Sequence, residues 1–185
     1  MKTATVLIAL LVIIVGAVVL WGEKPTTLTR PAPLRTASHS TRPTHGGPKK
    51  TVVLFFVSQD QKILQEETRE ILGAATTTED AKRTMAELVK GPESELAPTL
   101  PRAAQVRNLF IDPSGTAYVD FDKELKEGHR GGAQEELDSV FSIVDTLTSN
   151  FAQIKRVQIL VEGVEIPTLA GNVDTRMPLS PRHVF

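Results

Sequence analysis

Two carboxylates two residues apart, Asp120 and Asp122, have the spacing in this chain that best suits chemistry. Side chains at i and i+2 of a strand face the same side, so the pair could serve a divalent cation or an acid–base couple. Calcium, however, takes about six to eight oxygen ligands, and no dense run of Asp, Asn and Gly surrounds the pair. A solvated sheet edge is the plainer reading, with Asp120 expected as a structural residue bonded to a neighbouring loop. A second candidate is Glu127-Gly-His-Arg-Gly-Gly132, which precedes a helix start and could cradle an anion. Glu135 and Glu136 already complement the helix dipole there, and the glycine spacing fits neither a phosphate loop nor a dinucleotide fingerprint. This segment reads instead as a mobile loop with a glycine cap. The histidines (His39, His45, His129, His183) are scattered, with no HExxH and no GxSxG. A Ser/His/Asp triad assembled in space stays open. No catalytic, metal or cofactor-binding residue is assigned. Lys155, Arg156 and Gln158 on a late strand, with the glycine loop near His129, are expected to form an exposed interaction surface.

These residues need elements to hold them. Thr51–Val57 is a continuous apolar, β-branched and aromatic run, which reads as a buried central strand. Residues 62–71 are more polar and read as an edge strand or a loop. Thr76, Thr77 and Thr78 offer N-caps, Glu79 and Asp80 suit a first turn, and Gly91-Pro92 ends the helix they begin. After a loop over 93–105, Val106–Ile111 and Thr116–Phe121 flank Asp112-Pro-Ser-Gly115, a hairpin turn. A second helix spans 134–149, with Leu137, Val140, Phe141, Val144 and Leu147 at helical spacing. A strand over 155–161 then turns at Glu162-Gly163 into a short return strand. The fold class is α+β: one mixed β-sheet with two helices packed on one face, preceded by a single N-terminal transmembrane helix and a disordered linker.

That preceding segment is distinct in composition. Residues 3–21 carry no charge, follow Lys2 and end at Trp21. Such a run is long enough to cross a bilayer. It also exceeds the apolar region of a signal peptide and lacks a small-x-small cleavage site, so an uncleaved anchor over 1–22 is favoured over a removed signal. Residues 23–50 are rich in Pro, Thr and Ser and lack the apolar surface to repay ordering. As a disordered tether they would span about 30 Å as a coil and about 85 Å when extended. Residues 1–50 hold seven Lys/Arg and one acid, leaving 14 basic and 21 acidic residues in the domain at 51–185. A basic juxtamembrane segment can rest on anionic lipid, whereas the acidic domain excludes nucleic acid as a partner. With no cysteine, disulfides, thiolate metal sites and N-terminal lipidation are all excluded.

Five short elements, in order, carry a family resemblance. Leu88-Val-Lys-Gly-Pro92 resembles the LLxGP element of the GerMN domain of the sporulation and spore germination family, and Ala117-Tyr-Val-Asp-Phe121 resembles its VDF strand. Phe141-Ser-Ile-Val-Asp-Thr-Leu-Thr148 is similar to YQIVNTLT, Val157-Gln-Ile-Leu-Val-Glu-Gly163 to VQFLVDG, and Thr168-Leu-Ala-Gly171 to ETLGG. The resemblance implies an envelope protein whose domain faces the extracytoplasmic side and serves assembly rather than chemistry, as in the similar ring-building motifs. It also implies an envelope partner or self-association, and no cofactor. Family members are often lipoproteins or carry two copies; this chain has one copy and no Cys, so sporulation itself is not implied. Two rivals stand beside this reading. A peptidoglycan- or glycan-binding domain would need an aromatic groove, poorly supplied by one Trp in the anchor and one Tyr, Tyr118. A cell-wall hydrolase would need convergent carboxylates or a metal site.

Overall fold

A computed structural model describes residues 48–182. The expected anchor at 3–21, the linker up to residue 47, and His39, His45 and His183 lie outside the described residues. Among the described residues no helix is long and apolar enough to cross a membrane. The chain forms β1 (Lys49–Val57), β2 (Leu64–Leu72), α1 (Thr77–Lys90), β3 (Val106–Ile111) and β4 (Thr116–Phe121). It continues through the short α2 (Glu124–Glu127), α3 (Ala133–Asn150), β5 (Arg156–Val161) and β6 (Val164–Glu165).

The α+β class holds, but the single mixed sheet does not. β1 and β2 form an antiparallel two-stranded sheet of their own, and β3-β4-β5-β6 form a second, in which only β4 and β5 run parallel. β1 is therefore not a central strand, although its sequence resembles one. Its outer edge is occupied by side chains rather than by another strand. Asn150 accepts from Val53 N at 2.9 Å and donates to Val53 O at 2.6 Å, while Thr146 accepts from Phe55 N at 3.2 Å. Val57 closes the row by exchanging both backbone bonds with Ala97. An apolar run buried in this way has the same composition as one flanked by strands. Segment 62–71 resolves as β2, paired with β1 over its full length.

One apolar cluster joins the two sheets and both long helices. Val52, Leu54 and Phe56 of β1 meet Met85 and Leu88 of α1, Ile143 and Leu147 of α3, and Val119, Phe121 and Ile159 of the larger sheet. α1 begins where Thr76 Oγ1 accepts from Glu79 N, and it ends at Gly91, whose φ of 89° favours glycine. α3 packs against both β1 and β5. Its buried face is rotated from the expected one: Ile143 is buried, whereas Leu137 and Phe141 are only half-buried.

Candidate functional site

Each of the two paired carboxylates is taken by a different loop. Asp120 is buried near the end of β4; its Oδ1 accepts from Gly163 N at 2.6 Å, and its Oδ2 lies 3.4 Å from Arg107 Nη1. Asp122 accepts from Gln105 N at 2.9 Å. Asp120 thus pins the β5–β6 turn and Asp122 the entry to β3. Among the described residues no group of three or more His, Asp or Glu stands where it could hold a metal ion.

The glycine loop brings a histidine to a serine. His129 Nε2 lies 3.0 Å from Ser139 Oγ on α3. Gly131 N–H donates to His129 Nδ1 at 3.1 Å, so the ring proton sits on Nε2 and points at the serine. Ser139 Oγ–H then donates to Thr99 O at 2.5 Å. A nucleophilic serine must give its proton to the histidine; here the donation runs the other way. Ser139 is also buried. The pair ties the loops at 99 and 129 to α3.

The expected interaction surface divides. Lys155 and Arg156 are exposed, Arg156 registering with Thr116 at the start of β4. Gln158, expected alongside them on the surface, is only 1 % exposed. Its side chain donates to Thr175 O at 2.8 Å, because the chain after β6 folds back over this part of the sheet. Leu179 and Val157 exchange backbone bonds, fixing the returning segment along β5. His129 belongs to the segment that leaves the far end of β4, so it does not join Lys155 and Arg156.

Several functional-looking groups escape a reading of the sequence because their partners are distant in the chain. Glu136, fully buried on α3, accepts from Ala170 N at 2.8 Å, Asn172 N at 2.7 Å and Asn172 Nδ2 at 2.9 Å. Burial pushes its carboxyl up, but these donors outweigh it and hold the group below its ordinary value. Glu67 on β2 does the same for the loop after α1. Ser94 Oγ donates to it at 2.5 Å, the amides of Glu93 and Ser94 add further bonds, and Arg69 Nη2 lies 2.5 Å away. Burial again opposes the shift; the Ser94, Glu93 and Arg69 donors lower the Glu67 carboxyl to about 2. Arg69 Nη2 also donates to Gly91 O at 3.0 Å, so the Gly91-Pro92 corner is clamped to β2. The motif residues Asp120, Gly163, Gly91 and Thr146 all turn out to fasten one element to another.

One surface feature is not consumed in this way. Phe110 and Tyr118 pair across β3 and β4 with ring centroids 6.3 Å apart, and Phe110 is 60 % exposed. Strand alternation sets Tyr118 and Arg156 on the same face, opposite the core face of Ala117 and Val119. Arg107 flanks the pair on the other side, 3.4 Å from both Asp120 and Glu162. Spacing could have suggested the aromatic pair, since both residues flank the hairpin turn. Its exposure depends on where residues 166–179 stop covering the sheet.

Comparison with known proteins agrees with this geometry. The sequence model of the Germane family, described as sporulation and spore germination, matches residues 53–167. Tandem GerMN domains of the sporulation protein GerM from Bacillus subtilis superpose with a TM-score of 0.58 at 24 % identity, covering 71 % of this chain and 46 % of that one. The first GerMN domain of the same protein gives 0.55 at 22 % identity, covering 72 % and 98 %. A candidate lipoprotein from Clostridium perfringens gives 0.53 at 24 % identity, covering 71 % and 87 %. No curated protein matches the sequence.

Proposed function

Because the chain belongs to the Germane family of sporulation and spore germination domains, we propose that it is a non-enzymatic assembly or interaction module of the bacterial cell envelope. Residues 3–21 anchor it in the cytoplasmic membrane as a single pass, and residues 23–50 present the domain on the extracytoplasmic side. The observation that carries this reading is the contrast between its polar groups and its exposed aromatics. Asp120, Asp122, Glu136, His129 and Glu67 are all engaged in holding backbone or loops. Phe110 and Tyr118 stand at the surface between Arg107 and Arg156, and interface hot spots favour aromatic and Arg side chains of this kind. Lys155 and Arg156 belong to this surface; Gln158 and His129 do not. The partner is an envelope protein or a second copy of the chain.

The test is a photo-crosslinking residue at position 110 of the full-length protein in intact cells. Recurrent adducts with one envelope protein, or with the protein itself, are expected. Adducts with lipid or wall material alone would overturn the reading. A second reading, glycan binding, draws on the same aromatic pair, because sugar rings stack on exposed aromatics. Retention on isolated cell wall that is lost in Phe110→Ala would favour it. Turnover of labelled wall, abolished by Asp120→Asn, would instead point to a hydrolase.

A further inference from the structure

The small sheet has two edges, and the chain treats them differently. On β1 the outward backbone groups are sealed by Asn150, Thr146 and Ala97. Those bonds also fix which groups of β2 point outward. In an antiparallel pair, residues opposite one another either exchange both bonds or turn both sets away. Val53, Phe55 and Val57 bond outward, so their partners Thr68, Glu66 and Leu64 also face away from β1, as does Glu70 by alternation. Among the described residues no hydrogen bond reaches the backbone of Glu66, Thr68 or Glu70, and all three are exposed. The outer edge is closed at one end only, where Arg83 Nη1 donates to Leu72 O at 2.9 Å.

Edge strands in monomers are commonly blunted by a bulge, a proline or a lysine. β2 has no bulge, proline or lysine, its charges being carboxylates and the inward-facing Arg69: its sequence is LQEETREIL, and its register with β1 runs unbroken over nine residues. Its more exposed face reads Leu64, Glu66, Thr68, Glu70, Leu72, and Leu72 is 50 % exposed. Two carboxylates flank a threonine, and a leucine stands at each end. Glu70 already meets Lys49 of β1 at 2.8 Å in an exposed pair, so this face accepts a cation from a neighbouring strand. A second copy paired antiparallel over the whole length of this edge, about Thr68, would oppose Glu66 to Glu70, which is unfavourable. A strand carrying basic residues in the same positions meets the opposite sign of charge.

We propose that the open edge of β2 accepts, by strand addition, an extended segment of a partner protein with basic residues opposite Glu66 and Glu70 and apolar residues opposite Leu64 and Leu72. This deepens the interaction reading by naming the partner's chemistry. It stands on a different surface from Phe110, so failure here leaves the crosslinking result intact, and the reverse also holds.

The probe is a nine-residue peptide with valine at both ends, lysine at its third and seventh positions and threonine elsewhere. It is titrated into the full-length protein in detergent micelles, with amide hydrogen exchange as the readout. Slowed exchange at Glu66, Thr68 and Glu70 is expected, lost on Thr68→Pro. Because a proline could disturb the strand, the charge-reversed pair Glu66→Lys and Glu70→Lys provides the second arm. It should weaken the lysine peptide at least about tenfold and gain affinity for a glutamate version of the peptide. Equal binding of a peptide of the same charge with a central proline would reduce the effect to attraction of a polycation and overturn the proposal. So would protection of these amides before any peptide is added, which would mean that a second copy already fills the edge.

Discussion

Helix α1 buries Ala81, Thr84, Met85, Leu88 and Val89 and leaves its remaining residues half-buried or exposed. Helix α3 buries ten residues, six of them polar. The difference follows from position. α1 covers the core from one side, so its polar side chains stay at or near the surface, even where Asp80, Arg83 and Glu87 bond neighbouring segments. α3 packs on both sheets and receives the chain that returns after β6, so its polar side chains are enclosed and must find partners there. Glu136 holds residues 170–172, Asp145 accepts from Arg182 N at 3.0 Å, and Asn150 and Thr146 seal β1. A helix buried on several sides acts as a bracket, and its polar residues then carry stability that a surface helix keeps in its apolar stripe.

The sharpest way to break this contrast is Glu136→Ala. It removes the buried carboxylate that accepts from the Ala170 and Asn172 amides, and we expect a loss of about 2–4 kcal/mol in urea unfolding. A loss similar to that of an exposed α1 residue would refute the bracket role. Acid titration separates the carboxylates further. Glu136 is held below its ordinary value of 4.5 and Glu67 is lowered to about 2. A depressed value in the folded state gives stability that is complete above about pH 4.5 and is lost as pH falls through the folded value. The denaturation midpoint should therefore stay level from neutral pH to about pH 5 and decline below it, still falling as pH 2 is approached. Glu136→Gln should flatten part of that decline, while Glu67 and the exposed Asp174, both lowered to about 2, keep the fall near pH 2.

Asn150→Ala comes next, at about 1–3 kcal/mol, because it leaves both backbone groups of Val53 without their partner. Exchange of the Val53 amide should rise with it. The smallest effects belong to α1. Thr76→Ala removes the N-cap bond to Glu79 N and should cost about 1 kcal/mol. Ala86→Gln, on the exposed face, should change stability by no more than about 0.5 kcal/mol, since glutamine is nearly as good a helix former and reaches only water. If Ala86→Gln matched Asn150→Ala, the distinction between the helices would fail.

What can be read from the sequence follows the same division. The start and end of α1 are legible because Thr76, Glu79 and Gly91-Pro92 act within a few residues of their partners. The β3–β4 hairpin is legible because Asp112 accepts from Ser114 and Thr116 within its own turn, and Gly115 at φ 86° leaves no room for a Cβ, which would sit 2.6 Å from Gln153 O. The separation into two sheets is not legible, since Val53 and Asn150 lie 97 positions apart and β1 is composed like a central strand. The burial of Gln158 depends on Thr175, 17 residues further on, and nothing in the alternation of β5 marks it. Asp120 is legible as a structural residue, but the sequence does not name its partner, Gly163. Local chemistry writes itself into local sequence, whereas a bracket is visible only when both of its ends are in place.

The return of residues 166–182 across β5 and α3 bears on how the protein is made. Synthesis proceeds from the N-terminus, and domains tend to fold as they emerge. Here Glu136, Asp145 and Gln158 are completed during translation before Ala170, Arg182 and Thr175, the residues that satisfy them. Until these leave the ribosome, Glu136 and Gln158 lack the backbone groups that they bond in the finished domain. Closure is thereby deferred until residues 166–182 have been made. A message truncated before residue 166 would yield a product that quality-control proteases can recognise as unfinished.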